Sequence, residues 1–561
     1  MGSVLLLVLS FLLLWPELIN AQAPIRIPRD RPSERPFEPP PRPEEQPEEP
    51  QVTPAPLPPE SIPDSLAAGS VWVDDLALSG NEVISDATLL AAAHPFLGRH
   101  LSPTSLQQLV VTLTQVYVDA GYANSGAVLP DQQVHDGVLA VDLVEGRLGA
   151  VQIVGARTYR PRVLEDRLRH SIREPLRVQQ IEQALRLLEG DHRIRRLDAR
   201  LVPTDVRGVA RLVVRVEEQV PWWLTLGGDN YEPESVGTGA GRASAGDDNL
   251  LGFGDDLRVD VTATEGMWQL ASSYQIPVHA SGTTLGVEGW GSRADVVQNP
   301  FDQLDVESDA YTLGATLDQP LLQTPAQDLS AGLRFEYRWG KTSLLGRGFT
   351  FEPGADDGEV KITVLRPLLE WTSRGESYAL ATRSLFSIGL DLPGTTEHSG
   401  ETPDGQFFAW LGQIRGIYRE DRTQISLHAR LDVQLSSVPL LPLEQFAVGG
   451  PDSVRGYPTN FLVRDQAVQG SIEARWPAWT WNHGRHRVEL ASFFDAGHAW
   501  NRDRPSPGRD TLYGVGVGLH VLPFSTLELG VEWAYALRDV QSGSSLQGRG
   551  LLLSVRWGYP W

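Results

Sequence analysis

The sequence predicts a transmembrane β-barrel preceded by two small α+β modules. Three observations predict this fold. The chain starts with a leader-like apolar run, residues 70–219 contain an internal repeat, and from about residue 221 apolar and polar residues alternate with a period of two. Together these features divide the chain into an exported leader, a tether, two modules and a barrel.

Composition excludes several classes of function. The 561 residues carry a formal net charge of −23, and such a chain suits nucleic acid poorly, because affinity for polyphosphates comes largely from Lys and Arg. Without cysteine there is no disulfide, thiolate metal site or cysteine nucleophile. Beyond the leader no stretch of 18 or more mostly apolar residues occurs, which excludes a helical membrane protein. Soluble periplasmic, secreted and outer-membrane β-barrel proteins remain.

The N-terminal region predicts export and a tether. Residues 4–15 form an apolar run with the length of a signal-peptide core, which places the signal peptide at 1–23, with cleavage after Ala21 or Ala23. Residues 24–66 hold fifteen of the 41 prolines and seven glutamates. Because proline lacks a backbone donor and like charges repel, we predict a disordered, extended linker there.

Residues 70–219 contain two copies of one unit with a period near 73 residues. Each copy begins with a short alternating strand, at 71–78 and 149–154, continues with two helical patterns and closes with strands. We therefore predict two β-α-α-β-β modules, at 70–147 and 148–219. Apolar helical faces are formed by Leu106, Leu109, Val110, Leu113, Val116, Tyr117 and Ala120 in the first copy and by Val178, Ile181, Ala184, Leu185 and Leu188 in the second.

The region 221–561 has the pattern of membrane-spanning strands. In 525–535 one set of alternate positions is mainly apolar and the other mainly polar or small, and 513–521 and 425–433 repeat this. Such strands predict a barrel with lipid outside and water inside. A soluble β-sandwich also alternates, but fourteen of the 16 tryptophans follow residue 220, as a membrane-interface girdle requires. Its 341 residues fit sixteen strands at about 21 residues each, although 14 or 18 strands are also permitted.

No motif predicts an enzyme, a cofactor or a metal site. The glycines of 514–518 alternate along a period-two strand with no helix after them, unlike a dinucleotide-binding loop. No GxSxG sequence occurs, which argues against a serine esterase of the α/β-hydrolase fold. His483 and His486 lack identifiable partner ligands, so we predict a solvated turn there.

Two motifs follow the modules in a fixed order, VRGY at 454–457 and FFDAG at 493–497. With the leader, the linker and two modules that look like POTRA domains, this order resembles the TpsB two-partner secretion transporters of the haemolysin-activator type. The resemblance covers essentially all of 70–561. It implies a sixteen-stranded barrel in the bacterial outer membrane, with POTRA domains in the periplasm, that exports one large partner protein without nucleotide hydrolysis. The motif residues are Val454, Arg455, Gly456 and Tyr457, then Phe493, Asp495 and Gly497.

The resemblance also implies a loop folded into the barrel, around residues 445–465. Its Arg455 would meet an acidic site on the barrel wall formed by Asp495 and Glu473. Alternation supports this, since the apolar neighbours of both carboxylates occupy the other face of their strands. Arginine binds carboxylates bidentately, so it suits a loop that must be pinned with defined geometry. An ordinary exposed loop arginine is the alternative.

The implied partners are an unfolded secreted protein, outer-membrane lipid and, during biogenesis, the barrel-assembly machinery and periplasmic chaperones, with Trp561 as a C-terminal assembly signal. Each module would present an edge strand to which an extended client adds through main-chain hydrogen bonds. A passive spacer is the alternative role for the modules. A barrel-assembly factor and a passive porin-like channel are the alternative functions.

Overall fold

The computed structural model describes most of the chain after residue 61. The predicted signal peptide, most of the predicted linker and Trp561 lie outside the described residues. The described residues form two compact units. One holds the two modules, and the other holds nearly all of the chain after residue 220. No helix in the described part of the chain is both long and apolar enough to cross a membrane. The described ranges are 62–67, 69–351, 353–400, 402–482, 486–506, 508–538 and 545–559.

The first module is built around a three-stranded sheet. Its elements are α1 (Asp64–Ala67), β1 (Val71–Val73), β2 (Asp75–Ser79), α2 (Asp86–Ala93), β3 (Arg99–Leu101), α3 (Pro103–Asp119), β4 (Gly126–Val128) and β5 (Val138–Val144). The sheet order is β2-β5-β4, with β2 and β5 parallel, and β1 pairs with β3 in a separate ribbon. Helix α3 begins where the Ser102 side chain accepts from the amide of Ser105 and Pro103 takes the first turn. Its face of Leu106, Leu109, Leu113 and Tyr117 is fully buried.

One detail of the first module differs from the prediction. The pattern of 71–78 predicted a single strand, but the structure divides it into β1 and β2. The amides of Asp74 and Asp75 both donate to the carbonyl of Gly137, and there the chain leaves β3 for β5. A period of two identifies extended chain but does not reveal a change of partner strand.

The second module repeats the first. Its elements are β6 (Arg147–Val154), α4 (Pro161–Ser171), α5 (Val178–Glu189), β7 (Ile194–Pro203) and β8 (Val209–Glu218). The sheet order is β6-β8-β7, with β6 and β8 parallel, which is the arrangement of the first module. Ile181, Leu185 and Leu188 of α5 are buried against the sheet. The predicted pair of small α+β modules is confirmed, although the first copy has a strand, β3, between its two helices that the pattern did not predict.

A buried ion group joins three segments of the second module. The Asp191 carboxylate accepts from Arg167 at 3.0 Å, from Arg193 at 3.2 Å and from the Tyr159 hydroxyl at 2.9 Å. Burial disfavours the charged form of Asp191, but Arg193, Arg167 and the hydrogen bond from Tyr159 together outweigh it, so its pKa lies below the usual range. The carboxylate is therefore ionised in the folded module at neutral pH.

The chain after residue 220 forms a closed antiparallel barrel. Its elements are β9 (Trp222–Asp229), β10 (Ala240–Asp247), β11 (Asp256–Ala263), β12 (Met267–Pro277), β13 (Thr284–Asp295), β14 (Val306–Gln323), β15 (Gln327–Leu344), β16 (Arg347–Gly348), β17 (Glu359–Arg374), β18 (Tyr378–Gly389), β19 (Phe408–Arg419), β20 (Ser426–Ser436), β21 (Phe446–Val448), β22 (Leu462–Arg464), β23 (Gln466–Trp481), β24 (His486–Trp500), β25 (Thr511–Phe524), β26 (Leu527–Ala536) and β27 (Leu551–Tyr559). Sixteen long strands close where β27 pairs with β9. The two-residue β16 extends the β15–β17 hairpin, and β21 pairs with β22 outside the barrel sheet. The predicted sixteen strands are confirmed, and a two-layer sandwich is ruled out.

The two faces of the barrel strands have opposite character. On β26, Val531 and Trp533 are 43% and 53% exposed, whereas Glu532 between them is 9% exposed. The apolar side chains point outward and the polar ones into the lumen, as a barrel in lipid requires. The only two lysines of the chain, Lys341 and Lys361, occupy outward positions on β15 and β17. Both lie at the barrel end from which the β20–β23 connection also departs.

Candidate functional site

The connection between β20 and β23, residues 437–465, lies inside the barrel. Its ribbon of β21 and β22 is buried, with Phe446, Val448 and Leu462 at 0% exposure. These side chains join one apolar cluster with inward residues of six strands between β17 and β25, so the connection packs against that part of the inner wall. The wall residues of that cluster are Leu368, Leu385, Leu411, Ala467, Ala499 and Leu512.

Arg455 attaches this connection to three carboxylates of the wall. It binds Asp495 bidentately, Nε to Oδ2 at 2.8 Å and Nη2 to Oδ1 at 3.0 Å, and its own backbone amide also donates to Oδ2 at 3.0 Å. Its Nη1 donates to Glu473 at 2.6 Å and to Glu532 at 3.2 Å. We call Arg455 with these three carboxylates the Arg455 anchor. Bidentate and charge-assisted bonds are the strong class of hydrogen bond, and they fix both position and orientation.

Further contacts enclose the guanidinium of Arg455. The guanidinium carbon lies 3.3 Å from the centre of the Phe493 ring, a cation–π contact, and Ser471 accepts from Nη2 at 3.2 Å. Arg455 is 6% exposed, so these contacts enclose nearly all of it. A cavity of about 260 Å³ adjoins the anchor and is lined by polar side chains that include Arg415, Arg430, Arg475 and Glu532. The anchor is therefore buried but borders space that water can fill.

Glycines let the connection approach the wall this closely. A Cβ at Gly514 would lie 2.1 Å from the Arg455 carbonyl oxygen, and one at Gly497 would lie 2.5 Å from Val448 Cγ1. Gly456 has a φ of 91°, which side-chain-bearing residues rarely adopt. The motif glycines, Gly456 and Gly497, are therefore required on steric grounds.

Tyr457 and Val454 complete the contact. The Tyr457 hydroxyl donates to the carbonyl of Tyr513 at 3.2 Å and accepts from its amide at 3.3 Å. Val454 is fully buried, and its methyl group would be 2.9 Å from a Cβ at Gly497. The eight motif and wall residues singled out from the sequence lie together here. They are Val454, Arg455, Gly456, Tyr457, Glu473, Phe493, Asp495 and Gly497.

Sequence reasoning missed Glu532. Its alternation on β26 already indicated a lumenal side chain, but no motif marks it and its partner is 77 residues away. The two histidines predicted to lie in a solvated turn are not part of this site. His483 lies outside the described residues, and the ring of His486 is within 2.8 Å of the Asn482 side-chain amide. Across the described ranges, no group of three or more metal-ligating side chains is present.

Comparison with known families decides the identity. The family model for haemolysin secretion/activation protein ShlB/FhaC/HecB matches residues 208–521, more than half of the chain. The chain belongs to this family. The model for the ShlB-type POTRA domain matches residues 72–146, which is the first module. The resemblance inferred from the two motifs is confirmed.

Curated relatives of this ShlB/FhaC/HecB member carry transporter names. The outer membrane transporter CdiB of Dickeya dadantii (strain 3937) is 22% identical over 450 residues, which cover 78% of this chain and 77% of the relative. The hemolysin transporter protein ShlB of Serratia marcescens is 28% identical over 194 residues, 33% of this chain and 32% of the relative.

Solved structures agree on the fold. CdiB from Escherichia coli superposes with a TM-score of 0.65 at 19% identity, covering 90% of this chain and 94% of that one. BamA from Haemophilus ducreyi, lacking POTRA domains 1–3, gives 0.53 at 15% identity, covering 87% of this chain and 100% of that one. At these identities the likeness concerns the fold alone. Family membership confirms the predicted outer-membrane transporter for secretion of a partner protein, and the assembly-factor and porin alternatives are not favoured.

Proposed function

We propose that this transporter exports its partner protein unfolded, through the barrel lumen, after the partner displaces from the wall the part of residues 437–465 that Arg455 holds there. One observation supports this above all others. Arg455 of the lumenal segment binds three wall carboxylates beside a cavity. An attachment made of a few charged hydrogen bonds is specific in geometry and can be broken in one step.

The energy scale suits a reversible attachment. Hydrogen bonds to charged groups stabilise by about 1.5–3 kcal/mol each, before the cost of removing the charges from water. When Arg455 leaves, the adjoining cavity lets water reach the carboxylates, which limits the penalty. A protein segment entering the lumen can therefore compete with the anchor without nucleotide hydrolysis.

The modules are proposed to receive the partner in the periplasm. In the second module β7 is an outer strand of the sheet that pairs with β8 on one side. An extended chain can add to such an edge through main-chain hydrogen bonds without a particular side-chain sequence. This supports capture of an unfolded partner.

The barrel surface supports residence in a bilayer. Its outward side chains are largely Leu, Val, Phe, Trp and Tyr, and large members of this set are about half exposed, such as Leu313 at 58% and Trp533 at 53%. We propose outer-membrane lipid as their partner. The barrel-assembly machinery and periplasmic chaperones are the proposed partners for insertion of this chain itself.

Replacing the pinning arginine tests the proposed function. We expect Arg455→Ala to leave a folded barrel in the outer membrane and to reduce secretion of a co-expressed partner exoprotein by about tenfold or more. The loss of two or more charged hydrogen bonds exceeds about 1.4 kcal/mol, which lowers at least about tenfold the population of the loop in the position from which the partner displaces it. Asp495→Asn should act in the same direction. Secretion is measured in the medium by immunoblot, and folding by the heat-dependent shift of the barrel on gels.

A matched control tests whether the loss of any arginine, rather than of Arg455 in the lumen, reduces secretion. Arg422→Ala removes an arginine from the exposed turn between β19 and β20 and should leave secretion unchanged. Normal secretion by a folded Arg455→Ala variant would refute the role of the anchor.

A further inference from the structure

The lumenal connection has a second charged attachment, eleven residues before Arg455. Glu444 binds Arg366 of β17 bidentately, Oε1 to Nη2 at 2.7 Å and Oε2 to Nη1 at 3.0 Å, and it also accepts from Arg338 of β15. Arg366 in turn donates to Glu336 at 3.0 Å, and Arg338 donates to the Leu443 carbonyl at 3.1 Å. We call Glu444 with Arg338, Arg366 and Glu336 the Glu444 anchor.

The two anchors have opposite polarity. At the Arg455 anchor the connection supplies the cation and the wall supplies carboxylates, whereas at the Glu444 anchor the connection supplies the carboxylate and the wall supplies arginines. The Glu444 anchor contains two cations and two anions and is therefore balanced. Removing Glu444 from it would leave two arginines with one carboxylate.

The two anchors also differ in their access to water. The four members of the Glu444 anchor are 0–2% exposed, and Leu440, Leu441 and Leu443 pack beside it against an apolar part of the wall. The Arg455 anchor borders the 260 Å³ cavity. Separating a buried ion pair without rehydration is strongly unfavourable, because each charge loses its partner and gains no solvent. The Glu444 anchor is the harder of the two to break.

A third contact ties the two ends of the connection to each other. The Asp465 carboxylate accepts from Arg504 at 2.8 Å, from the Leu440 amide at 3.1 Å and from the Gln445 side chain at 3.1 Å. Asp465 is 0% exposed. It directly follows β22, which pairs with β21. Residues 437–448 and 462–465 therefore form one bonded unit, which we call the stem.

Two glycines lie between residue 448 of the stem and the remaining part of the connection. Gly449 and Gly450 have φ values of 112° and 107°, in the region where only glycine is unstrained. Consecutive residues of this kind allow a change of backbone direction without side-chain cost. Residues 451–461, which carry Arg455, follow directly and are called the flap.

We propose that Glu444 is a positioning residue that keeps the stem on the wall during transport, so that only the flap leaves the lumen. This proposal rests on the displacement of the connection proposed above, and it names which part moves. The flap has eleven residues, and an extended chain of that length folded back on itself reaches about 18 Å. That reach moves Arg455 clear of its three carboxylates while the Glu444 anchor stays intact.

Cysteine cross-links test this division directly, because the chain has no native cysteine. The stem pair is Gly340→Cys with Leu443→Cys, since a Cβ at Gly340 would lie 3.5 Å from the Leu443 side chain. The flap pair is Thr459→Cys with Gln547→Cys, whose side chains lie 3.0 Å apart. Each pair is joined by a short bifunctional thiol reagent in the full-length protein, and potassium chloride conductance is recorded in planar bilayers.

The two cross-links have different expected results. The flap cross-link should reduce channel openings by about tenfold or more, and the stem cross-link should leave them within about twofold of the unlinked protein. Loss of openings in the stem-linked protein would show that the whole connection moves and would overturn the proposal. Persistent openings in a fully flap-linked protein would instead refute displacement itself, which is the proposed function.

Hydrogen exchange gives a test that needs no cross-link. In the unmodified protein the amides of 440–448 should exchange about a hundredfold more slowly than those of 451–461. The reason is that the backbone hydrogen bonds of the stem open only when the Glu444 anchor breaks. Glu444→Gln should remove most of that difference and raise the frequency of channel openings, whereas Glu376→Gln, which changes an exposed carboxylate in the turn between β17 and β18, should change neither. Equal exchange of stem and flap in the unmodified protein would overturn the proposal.

Discussion

The second module and the barrel place the same residue types in opposite environments. In the module Leu185 and Leu212 are 0% exposed, whereas in the barrel Leu313 and Val517 are 58% and 55% exposed. The barrel also buries a charged side chain on its lumenal face, since Arg366 is 0% exposed. The difference teaches that burial follows the solvent outside each region, water for the module and hydrocarbon for the barrel. A ranking of residues by polarity is therefore meaningful only once the solvent is known.

The source of stability differs accordingly. The module gains free energy by removing apolar surface from water. The barrel turns its outward leucines toward lipid rather than packing them against other side chains, and it relies on its closed ladder of backbone hydrogen bonds and on lumenal networks such as the Arg455 anchor. Three substitutions of decreasing effect test this contrast.

The largest effect is expected in the core of the module. Leu185→Ala should lower the free energy of unfolding of the second module by about 3–5 kcal/mol, because the lost burial and the cavity both destabilise. The matched change Leu519→Ala, on an outward position of β25 that is 39% exposed, should cost only about 2 kcal/mol, since lipid fills the space and no cavity forms. Hydrogen exchange of α5 and of β25 in the intact chain measures both. Equal losses would contradict the contrast.

A charge on the outer face sharpens the comparison. Val517→Arg, near the middle of β25, should destabilise the barrel by about 2–4 kcal/mol, because the guanidinium would face the bilayer centre. Val206→Arg, in the exposed turn between β7 and β8 of the second module, should change stability by under about 0.5 kcal/mol. Urea titration of the barrel in lipid vesicles gives the first value, and exchange of β7 and β8 the second. A harmless Val517→Arg would mean that β25 does not contact lipid.

The smallest effect concerns the ion group of the second module. The pKa of Asp191 lies below its usual range in the folded state, since Arg193, Arg167 and a tyrosine hydrogen bond together outweigh the opposing effect of burial. Its stabilisation is thus present above the unfolded pKa of about 4 and is lost as pH falls through the lower, folded pKa. Asp191→Asn should cost about 1–2 kcal/mol at pH 7 and weaken this acid sensitivity, whereas the exposed control Asp205→Asn should do neither. Exchange of 194–218 at pH 7 and below pH 4 measures it.

The sequence was sufficient where a pattern is local. Period-two alternation around Glu532 and helical spacing from Leu106 to Tyr117 each identify an element and its buried face within one short window. The repeat predicted both modules, because each copy shows the same order of patterns. The motif residues of the Arg455 anchor were found because they lie in two short runs that resemble a family.

The sequence was insufficient where partners are distant. Glu444 and Arg338 are 106 residues apart, and Arg366 and Glu444 are 78 apart. Which inward side chains meet depends on the register of every intervening strand and on how the connection crosses the lumen, and neither leaves a local signal. For the same reason the switch of the first strand from β3 to β5 at Asp74 was missed.

The position of the two lysines gives the barrel a chemical marker. Lys341 and Lys361 are outward on neighbouring strands at a single rim, and Lys361 pairs with Glu359 at 2.7 Å. Apart from the α-amino group, all primary amines of the chain are confined to that rim. An amine-selective, membrane-impermeant reagent applied to whole cells thus reports the orientation of the protein without any engineered tag.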